Sequence, residues 1–256
     1  MDNYEIFIND LGKKFDLNLM GYKRPQMERR INSLMRSLQI ETYSEFINRM
    51  KDDQKLFNRF LDHLTINVSE FFRNGSQWDV LKDKILPMLI TNNKNLKVWS
   101  AGCSTGEEPY TVAMILKEHY PNGNHAILAT DFDIRVLNKA REGIYLQKEV
   151  SGIPENYLSK YLVNQNSHYK IESGIRNMIT FKKHNLLKDP FENNFDLILC
   201  RNVVIYFTEE TKNQLYRRFY DSLKIKGVLF TGSTEQIIQA REIGLTSVAI
   251  FFYQKP

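Results

Sequence analysis

Cysteine is nearly absent: Cys103 and Cys200 are the only two in 256 residues. Two thiols cannot build a disulfide framework, and with five histidines at no ligand spacing they build no zinc site, so the expectation is reduced thiols and no metal. No apolar run approaches the roughly 20 residues that span a bilayer. The start Met1-Asp2-Asn3-Tyr4-Glu5 has neither a basic nor an apolar leader region, which predicts a cytoplasmic protein without membrane insertion. No Ser/His/Asp or paired-acid arrangement stands out for nucleophilic or general acid–base work. The remaining composition, 42% hydrophobic and 25% charged with a formal net charge of +5, is that of an ordinary globular chain of one large or two modest domains.

What is present centres on Leu96-Lys97-Val98-Trp99-Ser100-Ala101-Gly102-Cys103-Ser104-Thr105-Gly106-Glu107-Glu108-Pro109. An apolar strand ends at Ser100, a loop with two glycines follows, and Pro109 marks the start of a helix. Gly102 and Gly106 allow a tight turn and close approach to a ligand at the new helix N-terminus. Their Gly-x-x-x-Gly spacing matches neither the dinucleotide fingerprint nor the phosphate loop. Glu107 and Glu108 suit the helix dipole but repel a pyrophosphate, so a cationic ligand fits better; plain helix capping is the alternative for both. Downstream, Ala126 to Asp133 reads as the next parallel strand, with Asp131 at its carboxyl end where an acid can hold ribose hydroxyls. Together these features suggest S-adenosylmethionine, a nucleoside bearing a sulfonium and an ammonium in place of phosphates.

Residues 1 to about 75 read as all-helical, with a linker at about 65–77, and 76–256 as an α/β domain of about seven strands. Apolar periodicity runs through Tyr4 to Phe15, Met27 to Leu38, Tyr43 to Met50 and Leu56 to Leu64, which predicts a small helical bundle. Lys13, Lys14, Lys23, Arg24, Arg29, Arg30 and Arg36 face only Asp16 and Glu28 between residues 11 and 40, so the bundle presents either a solvated basic face or a docking surface for an acidic partner. Leu64 to Asn74 is a linker or a lid, and Trp78 to Leu89 an amphipathic helix. The punctuated stretch at about 150–180 predicts an inserted antiparallel subdomain with β-like pieces at Tyr157 to Val163 and His168 to Ile171. The apolar strand from Phe195 ends in Cys200-Arg201-Asn202, which puts Arg201, Asn202 and Tyr206 at the same edge as Gly102 and Asp131. No Pro-Pro-Tyr follows, as it commonly does in enzymes that methylate base amines, and this argues against a nucleic-acid partner. A helix from Glu209 to Leu223, a strand from Val228 to Gly232 and a final antiparallel strand from Ser247 to Gln254 complete the domain.

Four stretches in order resemble one family. They are Asn67-x-Ser69-x-Phe71-Phe72-Arg73, Trp99 to Tyr110, Ala129 to Asp133, and Cys200-Arg201-Asn202-Val203-x-Ile205-Tyr206-Phe207, and together they are similar to the bacterial chemotaxis receptor methyltransferases, the CheR family. The resemblance implies a helical front domain that docks receptors, followed by a Rossmann-like class I methyltransferase sheet with a β-subdomain insert. It implies methyl transfer from S-adenosylmethionine to glutamate side chains on the cytoplasmic helical domain of chemoreceptors, with S-adenosylhomocysteine as product. By position, Asn67, Ser69 and Arg73 would line the cofactor site, with Gly102 in its loop, Glu107 on the methionine ammonium and Asp131 on the ribose. Asn185 and Leu186 would flank the adenine, and Asn202 and Val203 would close the methionine side. Arg73 and Tyr206 would stand closest to the methyl, and Arg29, Arg30 and Arg36 would meet the receptor. Monomer is the default state. Two rivals stay open: a methyltransferase on RNA or a small molecule, and a non-catalytic S-adenosylmethionine sensor.

Overall fold

The computed structural model describes residues 2–64 and 69–256. It divides into two units, Met1–Asn67 with Tyr206–Asn213, and Val68–Ile205 with Gln214–Pro256.

The first unit holds α1 (Asn3–Phe15), α2 (Arg24–Ser37), α3 (Tyr43–Asp52) and α4 (Gln54–Leu64). Local chemistry sets the ends. Asp2 and Glu5 form a reciprocal capping box on α1, Pro25 opens α2, and the Thr42 hydroxyl caps α3. The core is aromatic: Phe7 stacks on Tyr43 with ring centroids 4.7 Å apart, and Phe60 meets Phe46 edge-on at 5.5 Å. Met27, Ile31, Leu34 and Met35 bury one stripe of α2, which leaves Arg29 and Arg36 exposed. Residues 206–208 return to this unit. The Lys23 N–H donates to the Tyr206 carbonyl at 2.9 Å and the Thr208 N–H to the Gly21 carbonyl at 3.0 Å, with Tyr22 and Phe207 paired between them.

The second unit opens with α5 (Gly75–Val80), continued through a wide π turn at Leu81–Ile85 into α6 (Leu86–Asn92). Pro87 gives the Asp83 carbonyl no N–H and its ring would press on it, so the turn widens there. Next come β1 (Lys97–Ala101), α7 (Glu107–His119), β2 (Ala126–Asp131), α8 (Ile134–Glu142) and β3 (Ile144–Leu146). These are followed by α9 (Glu155–Tyr161), β4 (Leu162–Gln165), β5 (His168–Ile171), α10 (Ser173–Arg176), β6 (Ile179–Lys183) and β7 (Phe195–Cys200). The chain closes with α11 (Glu209–Ser222), β8 (Leu223–Thr231), α12 (Ala240–Ile243), β9 (Thr246–Ala249) and β10 (Phe252–Gln254).

The main sheet runs β6-β2-β1-β7-β8-β10-β9, with β10 alone running against the other six. Ser100 lies beside Ala129 on one side and Leu199 on the other, so β1, β2 and β7 end together and deliver their loops to one edge. A separate antiparallel sheet, β3-β5-β4, draws β4 and β5 from the punctuated stretch and β3 from just before it.

Three expectations are corrected. Tyr157 to Val163 is mostly helix: Tyr157 and Tyr161, four apart, share the buried face of α9, and extended structure begins only at Leu162. β8 begins at Leu223, directly after α11, with an irregularity in its pairing to β7 rather than a loop before Val228. Ser247 to Gln254 is a hairpin, since Phe251 takes a left-handed φ of 68° and reverses the chain between β9 and β10.

Candidate active site

Gly102 and Gly106 hold the loop after β1. Both have left-handed backbones, with φ of 85° and 98°, and a Cβ on Gly102 would sit 2.5 Å from Cγ2 of Val203. The Gly102 and Cys103 N–H groups both donate to the Thr130 carbonyl, at 2.8 and 2.9 Å, which folds the loop over the end of β2. There Asp131 accepts from the Ser104 N–H at 2.8 Å and the Asp133 N–H at 3.0 Å. The Ser104 hydroxyl oxygen beside it is buried and has no hydrogen-bond partner among the described residues. A buried polar atom so placed suits a ligand that supplies the missing bond.

Glu107 is 2% exposed at the head of α7, and the Thr105 hydroxyl reaches both its oxygens at 2.8 and 2.7 Å. Burial pushes its pKa up, against hydrogen bonds from Thr105 and Ser69 that pull it down. Glu108 accepts from the Ser100 hydroxyl at 2.8 Å and pairs with Arg201 at 3.4 Å; burial again outweighs the arginine and raises its pKa. Asp131 is raised by burial too. With Glu108 already paired to Arg201, Glu107 and Asp131 are the carboxylates short of solvent at this loop that favour a cation.

Arg201 is not a ligand-facing residue. Its backbone leaves β7 at the expected edge, but the side chain, 6% exposed, turns inward between the rings of Trp78 and Phe230. It donates to the Arg73 carbonyl at 3.0 Å, Gln77 Oε1 at 2.8 Å and Asn74 Oδ1 at 3.4 Å. The segment that carries Ser69 and Arg73 is thereby tied to the sheet. The Phe72 N–H donates to the Thr111 hydroxyl of α7 at 3.2 Å, and the Phe71 ring meets Tyr145 edge-on at 4.9 Å. Asn67 lies outside the described residues.

His184 N–H donates to the Asp131 carbonyl at 2.9 Å, which brings Asn185 and Leu186 beside the end of β2. Asn185 uses its side-chain oxygen to close its own turn on the Leu187 N–H, at 3.0 Å. Leu186 is buried, and its carbonyl accepts from Arg218. Asn202 has a left-handed φ of 60°, and Val203 lies against Gly102.

Tyr206 belongs to the first unit and Arg73 to the second. The Arg30 guanidinium lies 5.6 Å from the Tyr206 ring centroid and donates to the Leu64 carbonyl at 3.1 Å, so Arg30 also holds the end of α4. Arg24, within the basic run, is paired with Asp2 and Glu28. One residue that sequence reasoning missed is Glu235, a buried acid after β8 that accepts from four backbone N–H groups, among them those of Asn202 and Val204. The only signal for it is an acid three residues beyond Gly232 at a strand end. Among the described residues no cluster of three His, Cys, Asp or Glu could hold a metal, and no helix is long and apolar enough to cross a membrane.

With this geometry in place, comparison with known proteins is informative. Residues 2–65 match the model of the CheR methyltransferase all-alpha domain, and residues 67–249 that of the CheR methyltransferase SAM binding domain. A chemotaxis protein methyltransferase of Listeria innocua is 40% identical over 99% of this chain and 97% of its own length. Those of Borreliella burgdorferi and Escherichia coli are 39% and 32% identical, over 92% and 85% of this chain and 88% and 78% of their own. Two domain models in sequence, a shared length and the glycine-turned, acid-lined strand edge agree: the chain belongs to the CheR family of chemotaxis protein-glutamate methyltransferases, which use S-adenosylmethionine.

Proposed function

We propose that the edge formed by β1, β2 and β7 binds S-adenosylmethionine and that the chain transfers its methyl group to glutamate carboxylates on the cytoplasmic helical domain of chemoreceptors. The observation that carries the site assignment is the set of buried or half-buried acids around a loop turned at Gly102 and Gly106, beside an unpartnered buried Ser104 hydroxyl. Bound there, S-adenosylmethionine supplies a methyl on a sulfonium, and S-adenosylhomocysteine is what remains. Glu107, with Ser69 and Thr105 bonded to it, takes the ammonium, and Asp131 takes the ribose hydroxyls. Asn185 and Leu186 flank the adenine, and Asn202 and Val203 close the methionine side, with Gly102 in the loop beside them.

A glutamate carboxylate is already ionised at neutral pH, so the chain need supply no base, only alignment of oxygen, carbon and sulfur. Arg73 holds a carboxylate beside the methyl and Tyr206 hydrogen-bonds the substrate. In this reading the helical unit, with the linker at about 65–77, is the receptor-docking domain and the enzyme is a cytoplasmic monomer. The three-stranded sheet takes β4 and β5 from the insert at about 150–180 of the catalytic domain and β3 from the residues just before it.

The docking face is Arg29, Arg30 and Arg36. Its test uses the two exposed members, because Arg30 also holds the end of α4. Reversing Arg29 and Arg36 to Glu raises KM for receptor by about tenfold, as expected for two unfavourable interfacial charges, and leaves cofactor affinity unchanged. Receptor kinetics that do not change in the double variant remove the docking assignment.

A further inference from the structure

A buried acid outside the cofactor loop is held by four backbone N–H groups. Glu235 is 4% exposed in the connection after β8, and its carboxylate gathers backbone donors from two segments. One oxygen accepts from the Asn202 N–H at 2.6 Å and the Gly232 N–H at 2.9 Å. The other accepts from the Val204 N–H at 2.9 Å and the Ile205 N–H at 3.3 Å. A carboxylate is acceptor-only and can fill all of these bonds at once, whereas a neutral amide in the same place would point a donor at donors.

The segment it grips turns sharply. Asn202 sits in the left-handed region, which asparagine adopts more readily than other side-chain-bearing residues, and the bond to Glu235 is made by that residue's own N–H. The next residue, Val203, packs so closely on the cofactor loop that Gly102 has no room for a side chain. Gly232 is confined in the same way: a Cβ there would meet Glu235 Oε2 at 2.4 Å and the Asn202 nitrogen at 2.8 Å. Behind the clamp, the Ile237 N–H donates to the Tyr253 hydroxyl at 2.9 Å and anchors the Glu235 connection to β10.

We infer that Glu235 is a positioning residue for methyl transfer: its carboxylate fixes the Asn202–Ile205 backbone, and through the packing of Val203 on Gly102 it sets where the glycine loop stands at the methionine end of the cofactor. This rests on the proposed reading that Gly102, Asn202 and Val203 border the cofactor. Glu235 touches neither cofactor nor substrate and acts through the backbone it holds.

The test compares wild type, Glu235→Gln and Gly232→Ala for S-adenosylhomocysteine binding by calorimetry and for kcat and KM on receptor-bearing membranes. Leu245→Ala, a core truncation, measures what lost stability alone does. Glu235→Gln is expected to weaken S-adenosylhomocysteine binding about tenfold or more and to lower kcat, with KM for receptor unchanged. Leu245→Ala, at a similar loss in Tm, should leave both values near wild type. A folded Glu235→Gln protein with wild-type affinity and kcat overturns the assignment, and so does a Leu245→Ala protein equally impaired in both. If Glu235→Gln does not fold, Gly232→Ala decides. It keeps the carboxylate but displaces it, so weakened binding supports the clamp and unchanged binding overturns it. A wild-type chain that binds no S-adenosylhomocysteine overturns the cofactor reading, and this assignment with it, before any variant is compared.

Discussion

Replacing Arg201 by methionine lowers the unfolding free energy of the second unit by about 3–5 kcal/mol, because it leaves a buried charge without its partner. Arg201 is the point where three parts of that unit meet. It pairs with Glu108 on α7, donates to Arg73, Asn74 and Gln77 in the segment before α6, and lies against the rings of Trp78 and Phe230. Methionine keeps much of the volume but none of the five donors of the guanidinium. Glu108 then faces low-dielectric surroundings with only the Ser100 hydroxyl attached. Removing its charge as well, in Arg201→Met with Glu108→Gln, should recover a large part of the loss, since the pair together is worth less than the cost of breaking it.

The sign of the pH dependence follows from Glu108. Its folded pKa is raised above the ordinary value of 4.5 by burial, so the folded state binds the extra proton. The contribution of such a group is most favourable below its unfolded pKa and is lost as pH rises through the folded one. Without Arg201 the folded pKa rises further, so the single variant is closest to wild type in mild acid and falls away towards pH 8. Urea midpoints at pH 5 and 8 check this. A loss under about 1 kcal/mol, or the same loss at both pH values, contradicts the role given to the pair.

Asp131→Ala is the second large effect, and it is read in cofactor binding. The carboxylate orders the loop through the Ser104 and Asp133 N–H groups and stands at the end of β2 where ribose hydroxyls would meet it. Hydrogen bonds to a charged group contribute about 1.5–3 kcal/mol each. Losing two to the ribose weakens S-adenosylmethionine binding by about a hundredfold or more. The variant also loses the bonds from the Ser104 and Asp133 N–H groups, so Tm falls, but the Gly102 and Cys103 N–H groups remain bonded to the Thr130 carbonyl and the loop keeps that anchor. Calorimetric titration of the variant with S-adenosylhomocysteine reads the effect, and affinity within threefold of wild type would remove Asp131 from the ribose site.

These predictions differ in how far the sequence alone could reach them. The glycine loop, the acids behind it and Asp131 were legible because each sits within a few residues of a strand end, where local pattern fixes position. The end of β7 was legible for the same reason. Arg201 was located correctly along the chain, but its side chain goes inward to partners more than 90 residues away, Glu108 and Gln77 among them. Glu235 was invisible because its four donors are backbone groups, which leave no residue pattern. Tyr206 shows a similar gap: four residues after Asn202 the chain passes into the helical unit, paired with Tyr22 and Lys23 through main-chain bonds. Helix α9 was mistaken for strand because two tyrosines four apart suit either element until burial decides between them.

Carboxyl methylation leaves a base-labile ester, and one measurement meets it directly. Receptor-bearing bacterial membranes are incubated with the chain and with S-adenosylmethionine labelled in its methyl group, and the labelled receptor band is then treated with mild alkali. The account predicts label on the receptor that mild alkali releases as volatile methanol, as a glutamyl methyl ester requires, and that is lost with Asp131→Ala. Label that resists alkali, or no transfer by a chain that binds the cofactor, would contradict it.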